Sequence, residues 1–181
     1  NIRKVEGIRP LRSDLDETDI VTLDGFSITS PERTAFDLAR TEPKWRAVAA
    51  VDRLAHLGIV DLAELRTYAQ VMERRHGIRK VTAVIRLADA RAESPMESLT
   101  RLIWLEARLP VPSVNEEIFD DDGKFVARVD LRDPTRLLVA EYDGGHHASA
   151  ARRQRDAARR QALEELGYTM VTITVADAAT P

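Results

Sequence analysis

The stretch SPMESLTRLIWLEARLPVPSVNEEIFDDDGKFVARVDLRDPTRLLVAEYD, residues 94–143, decides how this chain is read. Its first part, Ser94 to Leu109, reads as a helix of roughly four turns, with Ser94 a natural N-cap. After Pro110 and Pro112 the grammar changes to three strand-like runs: Val114 to Phe119, Phe125 to Leu131 and Leu137 to Tyr142. Asp121-Asp122-Gly123 supplies the first turn between them and Asp133-Pro134 the second. Beyond the stretch, Ala150 to Leu166 forms an arginine-rich helix that stops at Gly167, and Tyr168 to Thr174 is a last strand. Helix, three strands, helix, strand is the order of a layered α/β unit rather than a bundle.

Upstream of Ser94 the pattern is mainly helical. Asp24-Gly25 lies between Ile20-Val21 and Phe26-Ile28, the signature of a short hairpin. Ser30-Pro31-Glu32 opens a helix with a cap, a proline at the first helical position and an acid in the first turn. A second helix spans Lys44 to Leu57 and ends at Gly58. A third runs from the cap at Asp61 to about Arg74. Gly77 breaks the pattern, and Val81 to Ala90 is a fourth. The chain is therefore expected to be α+β, with a mainly helical domain over 1–92 and an α/β domain over 93–181.

The 181 residues carry a net charge of −3 and 44% hydrophobic residues. Nothing in the total charge predicts binding to a polyanion, so any nucleic-acid surface must come from local clustering of arginine and lysine. The absence of cysteine excludes a disulfide framework and a cysteine-ligated zinc site, and it fits a reducing compartment. No run of about eighteen apolar residues occurs and no signal peptide is visible, so the expected location is the cytoplasm. The first residue is Asn1 rather than Met, which suggests a fragment of a longer protein.

Four acids carry the candidate chemistry. Asp130 ends one strand; Glu141 and Asp143 end the next, on one side of it by the period-two rule. Clustered carboxylates repel, and each has its pKa raised unless a cation lies between them. Oxygen ligands on rigid strands suit Mg²⁺, Mn²⁺ or Ca²⁺. The plainer reading is that they solvate strand ends or pair with arginines. Glu97, three residues after Ser94, reads by spacing as the acid of a capping box. His146 and His147 follow the cluster and would point to opposite sides, so one at most faces the acids; it could act as base, proton shuttle or ligand. Arg152, Arg153, Arg155, Arg159 and Arg160 crowd the next helix, either to hold DNA phosphates or as a solvated face.

Taken together, SPMESLTRLIWLEARLPVP, ARVDL, AEYDGGHH and DAARRQALEELGYTMVTITVAD resemble the DUF559 family, relatives of the very-short-patch-repair endonucleases within the PD-(D/E)xK superfamily. The resemblance implies a restriction-endonuclease-like fold, a central mixed sheet flanked by helices. It implies a metal-dependent DNA endonuclease that hydrolyses phosphodiester bonds. Catalytic roles would fall on Glu97, Asp130, Glu141, Asp143 and His147. Mg²⁺ or Mn²⁺ would sit at Asp130, Glu141 and Asp143, and DNA would lie on Arg152, Arg153, Arg155 and Arg159. One departure stands out: Asp143 occupies the position at which that superfamily carries lysine. Upstream, TSPERTAFDLAR (29–40) resembles the segment before this domain in actinobacterial proteins related to AbiEi-type antitoxins, in its Thr29, Arg33, Thr34 and Asp37. That resemblance implies a non-catalytic, DNA-binding regulator of antitoxin type, with a protein partner of the toxin–antitoxin kind. By spacing alone, Arg33 and Asp37 form an exposed or interface ion pair one helical turn apart.

Overall fold

The structure, a computed structural model, describes residues 6–7, 10–11, 13–133, 135–144 and 150–178, with the backbone course alone at 150–153, 175 and 178. Strands β1 (Ile20–Leu23) and β2 (Phe26–Thr29) pair antiparallel. Asp24 and Gly25 between them have φ of 50° and 82°. Both residues of a two-residue turn that matches strand twist need positive φ, and Asp-Gly supplies it at low cost.

Helices α1 (Pro31–Thr41), α2 (Lys44–His56), α3 (Leu62–Val71) and α4 (Ile78–Leu87) follow. Ser30 Oγ accepts from Arg33 N at 3.2 Å, and Asp61 Oδ1 from Ala63 N at 2.6 Å, which satisfies helix-start donors as the sequence indicated. The fourth helix begins one turn earlier than expected and stops at Leu87. The cause is a buried acid: Asp52 Oδ1 on α2 accepts the Asp89 N–H at 2.7 Å, which draws the chain out of the helical path. The four helices enclose one core around Phe36, Val48, Val51, Leu65, Val81 and Ile85.

Helix α5 (Pro95–Glu106) leads into a mixed sheet in the order β3 (Ser113–Phe119), β4 (Phe125–Arg132), β5 (Leu138–Asp143), β6 (Thr169–Thr174). The first three strands are antiparallel; β6 runs parallel to β5 after a crossover through α6 (Ala150–Glu165). A short helix, α7 (Val175–Ala178), closes the described chain. The fold is thus α+β as expected. The sheet is covered on both faces. Ile118, Ala127, Val129 and Val139 pack against Leu163 of α6, and Val114, Leu131 and Ala140 against Trp104 of α5.

Helix α5 also belongs to the first core, through Leu102. A buried polar network sits beside that contact. Asp52 Oδ2 accepts from Ser98 Oγ at 2.7 Å and from Arg101 NH2 at 2.6 Å, and Arg101 NH1 donates to the Leu87 carbonyl. Helix α5 therefore packs into both cores, through Leu102 and Trp104. Among the described residues no helix is long and apolar enough to cross a membrane.

Candidate functional site

The site is made by an irregularity in the sheet. In a regular strand, residues two apart share a face. Val129 packs with Leu163 and Tyr168 on one side, yet Leu131 packs with Trp104 on the other. The ladder between β3 and β4 pairs Val114 with Leu131 and Glu116 with Val129, and skips Asn115 and Asp130. Asn115 has φ of 53°, in the left-handed region that asparagine tolerates better than most residues. The change of side falls at Asp130. Its carboxylate leaves the regular pattern and accepts the Tyr142 N–H of β5 at 3.0 Å through Oδ2.

Asp130 lies within electrostatic reach of two further acids and one arginine there. The Asp130 carboxyl is pushed up to about 6, chiefly by burial; the Tyr142 N–H pulls it down, the charges of Glu97 and Glu141 push it further up, and Arg159 opposes them. Glu97 reaches this place from the first turn of α5. Its Oε2 accepts from Glu93 N at 2.8 Å and from Asn115 Nδ2 at 2.7 Å. Ser94 caps α5 through Glu97 N at 3.2 Å, but Glu97 does not return a bond to the Ser94 N–H. The capping box is half formed, because the Glu97 side chain is turned toward β3. Asn115 also donates to the Arg91 carbonyl at 2.8 Å, which fixes its amide between the loop before α5 and the acid.

Glu141 follows Ala140, the partner of Leu131 in the β4–β5 ladder. Both its oxygens are taken by Arg159 of α6: NH1 to Oε1 at 2.5 Å and NH2 to Oε2 at 2.5 Å. This is the fork geometry in which guanidinium matches carboxylate best. Arg159 is raised above its usual pKa, first by its bonds to Glu141, with Glu141, Asp156 and Asp130 as further negative charges near it.

Of the residues named from sequence, Glu97, Asp130, Glu141 and Arg159 come together. Asp143 stands exposed at the end of β5. Arg155 is exposed on α6. His146 and His147 lie outside the described residues, as do the side chains of Arg152 and Arg153. Among the described residues no three acids or histidines converge as a ready metal site. Several of the oxygens that a divalent ion would use already accept hydrogen bonds. Glu141 has both oxygens on Arg159, Asp130 Oδ2 holds a backbone N–H, and Glu97 Oε2 holds two donors.

Sequence reasoning missed Asn115, whose positive φ has no signature beyond the residue type. It also placed Arg33 too near the surface. Arg33 is 3% exposed and bonds Asp37 through Nε at 2.9 Å, Asp19 through NH1 at 2.5 Å and Ser13 through NH2. Tyr68 Oη donates to the same Asp19 at 2.5 Å. Asp19 is fully buried, and its hydrogen bonds from Tyr68 and the Asp16 backbone, with the Arg33 charge, outweigh burial and hold its carboxyl below the usual range. The TSPERTAFDLAR motif is therefore the anchor that ties α1 to the segment before β1 and to α3.

A helical core and a four-stranded mixed sheet that both pack on α5, with acids at a break in the sheet, define an α+β protein. Residues 6–99, just over half of the chain, match the family described as the AbiEi antitoxin C-terminal domain, and the chain belongs to that family. It is also 35% identical over 154 residues to uncharacterized proteins of two Mycobacterium tuberculosis strains, CDC 1551 / Oshkosh and ATCC 25618 / H37Rv. That match covers 84% of this chain and 56% of each relative, so the chain spans little more than half their length. No solved structure matches.

Proposed function

We propose that this chain is part of an antitoxin-type regulator that binds DNA without cutting it. The observation that carries the reading is its membership of the antitoxin C-terminal family over residues 6–99. Two features of the second half support it. Asp143 stands where the resembled nucleases carry lysine, which reverses the charge that would steady an attacking water. Arg159 holds Glu141 by both oxygens. In this reading the sheet unit keeps a nuclease-like frame as a docking surface, and the exposed side of α6 near Arg155 and Arg160 meets phosphates. Its protein partner is the toxin of the same system.

The test is fluorescence anisotropy on the DNA upstream of its own coding sequence, at about 50 and 200 mM salt, with and without Mg²⁺. The expected result is binding that weakens steeply with salt and is indifferent to Mg²⁺. Parallel incubation with plasmid and single-stranded DNA in Mg²⁺ or Mn²⁺ should give no product. Cleavage that disappears in Asp130→Ala would return the endonuclease reading.

A further inference from the structure

We propose that Arg159 is the resident cation of the Glu97–Asp130–Glu141 cluster and takes the place a divalent metal ion would need. The proposal rests on the non-cutting reading above and supplies a physical cause for it.

The argument begins with charge. Three carboxyl groups are gathered from α5, β4 and β5: Asp130 accepts the Tyr142 N–H next to Glu141, and Glu97 is held by Asn115 at the break in the β3–β4 ladder. Gathered carboxylates ionise at lower cost when a positive group stands among them. The cation present is a guanidinium, which keeps its charge at any pH the protein meets. It is also placed with care: the fork binds Glu141 with two equal contacts of 2.5 Å, and Asp130 is near enough to contribute to holding the Arg159 charge.

Ligand supply gives the second argument. Mg²⁺ and Mn²⁺ sites of this size use one or two carboxylates and complete their shell with water. Glu141 is the acid next to the Asp130 contact, and both of its oxygens already accept from the docked Arg159, which an ion would have to share or displace. An incoming ion must also displace a cation of like sign. The two occupants therefore compete for one carboxylate, and Arg159 has the advantage of being tethered to α6, whose Leu163 is fully buried in the sheet core. The other charged groups nearby do not change this. Asp156 adds a further negative charge next to Arg159, and Arg128 is engaged by Glu93.

The test is titration calorimetry of the full chain with MnCl₂, in wild type, Arg159→Gln, Glu141→Gln and the double variant. Wild type should show no site up to about 1 mM Mn²⁺. Arg159→Gln should gain one, at least about tenfold tighter, worth roughly 1.4 kcal/mol. The double variant should lose it again. Circular dichroism checks that each variant is folded. The double variant, which removes the Arg159–Glu141 pair as a unit, is the control for folding. Where Arg159→Gln fails to fold, Arg159→Lys takes its place; lysine cannot form the fork, so a weaker gain is expected.

Wild-type binding of Mn²⁺ that vanishes in Glu141→Gln overturns the proposal. So does a folded Arg159→Gln protein with no gained site. Neither outcome touches the DNA-binding reading, which stands or falls on the anisotropy and cleavage experiments with wild-type protein.

Discussion

Asp130 offers a test whose sign follows from its burial and its charged neighbours. A carboxyl whose pKa rises from 3.8 when unfolded to about 6 when folded binds its proton more tightly in the native state. Stability therefore falls as pH rises through that window, and the whole cost is present above it. The window corresponds to about 3 kcal/mol at neutral pH. Asp130→Asn removes the ionisation and keeps an oxygen for the Tyr142 N–H, so the variant should be more stable than wild type by up to about 3 kcal/mol near pH 7.5. For a chain of this length that is a rise in Tm of roughly 6–12 °C. At about pH 4 the wild-type carboxyl is itself protonated in the fold, and the advantage should shrink to a small fraction. The assay is thermal unfolding by circular dichroism of both proteins from about pH 4 to 8. A variant no more stable than wild type at pH 7.5, or a gain that stays constant with pH, refutes the account of Asp130 as a buried acid among like charges.

Three further outcomes follow, two from buried ion pairs and one from a glycine with positive φ. Arg33→Ala strands the fully buried Asp19 carboxylate, and urea unfolding should show a loss of about 3–5 kcal/mol. Asp52→Ala should cost a similar amount, about 3–5 kcal/mol, because Arg101 is 4% exposed and keeps its charge; burial already pushes the Asp52 carboxyl up although Arg101 pulls it down. A Tm within a degree of wild type in either variant would show that the pair is solvated in solution. Gly77→Ala should destabilise by about 1–2 kcal/mol, since φ is 86° and an added Cβ would lie 2.6 Å from Arg40 Cγ. Equal stability there would mean that the α3–α4 connection relaxes freely.

The elements were readable in the sequence because their signals are local. Asp24-Gly25, Ser30-Pro31, Asp61 and Gly77 each act within a few residues of themselves, and the structure has a turn, two caps and a break at those places. The exception is instructive. Helix α4 stops early because of Asp52, 37 residues before the amide it holds, and no local pattern contains that distance. The same holds for the site. Asp130 and Glu141 were visible as acids ending apolar strands, and Glu97 as an acid beginning a helix. That they gather depends on the interruption of the β3–β4 ladder at Asn115 and Asp130 and on Arg159 crossing from α6. Five arginines close together on one helix look alike in sequence. Only the packing of α6 on the sheet distinguishes the one that is turned inward to Glu141.

The sharing of α5 bears on how such a chain can be inherited in pieces. The family match ends at residue 99, after the first turn of that helix, with Ser98 inside it and Arg101 outside. A recombination joint at that position would hand the helical half to a new neighbour with Asp52 still buried and its arginine left behind. A lineage that swaps the sheet unit must carry α5 along at least through Leu102, or find another cation for Asp52.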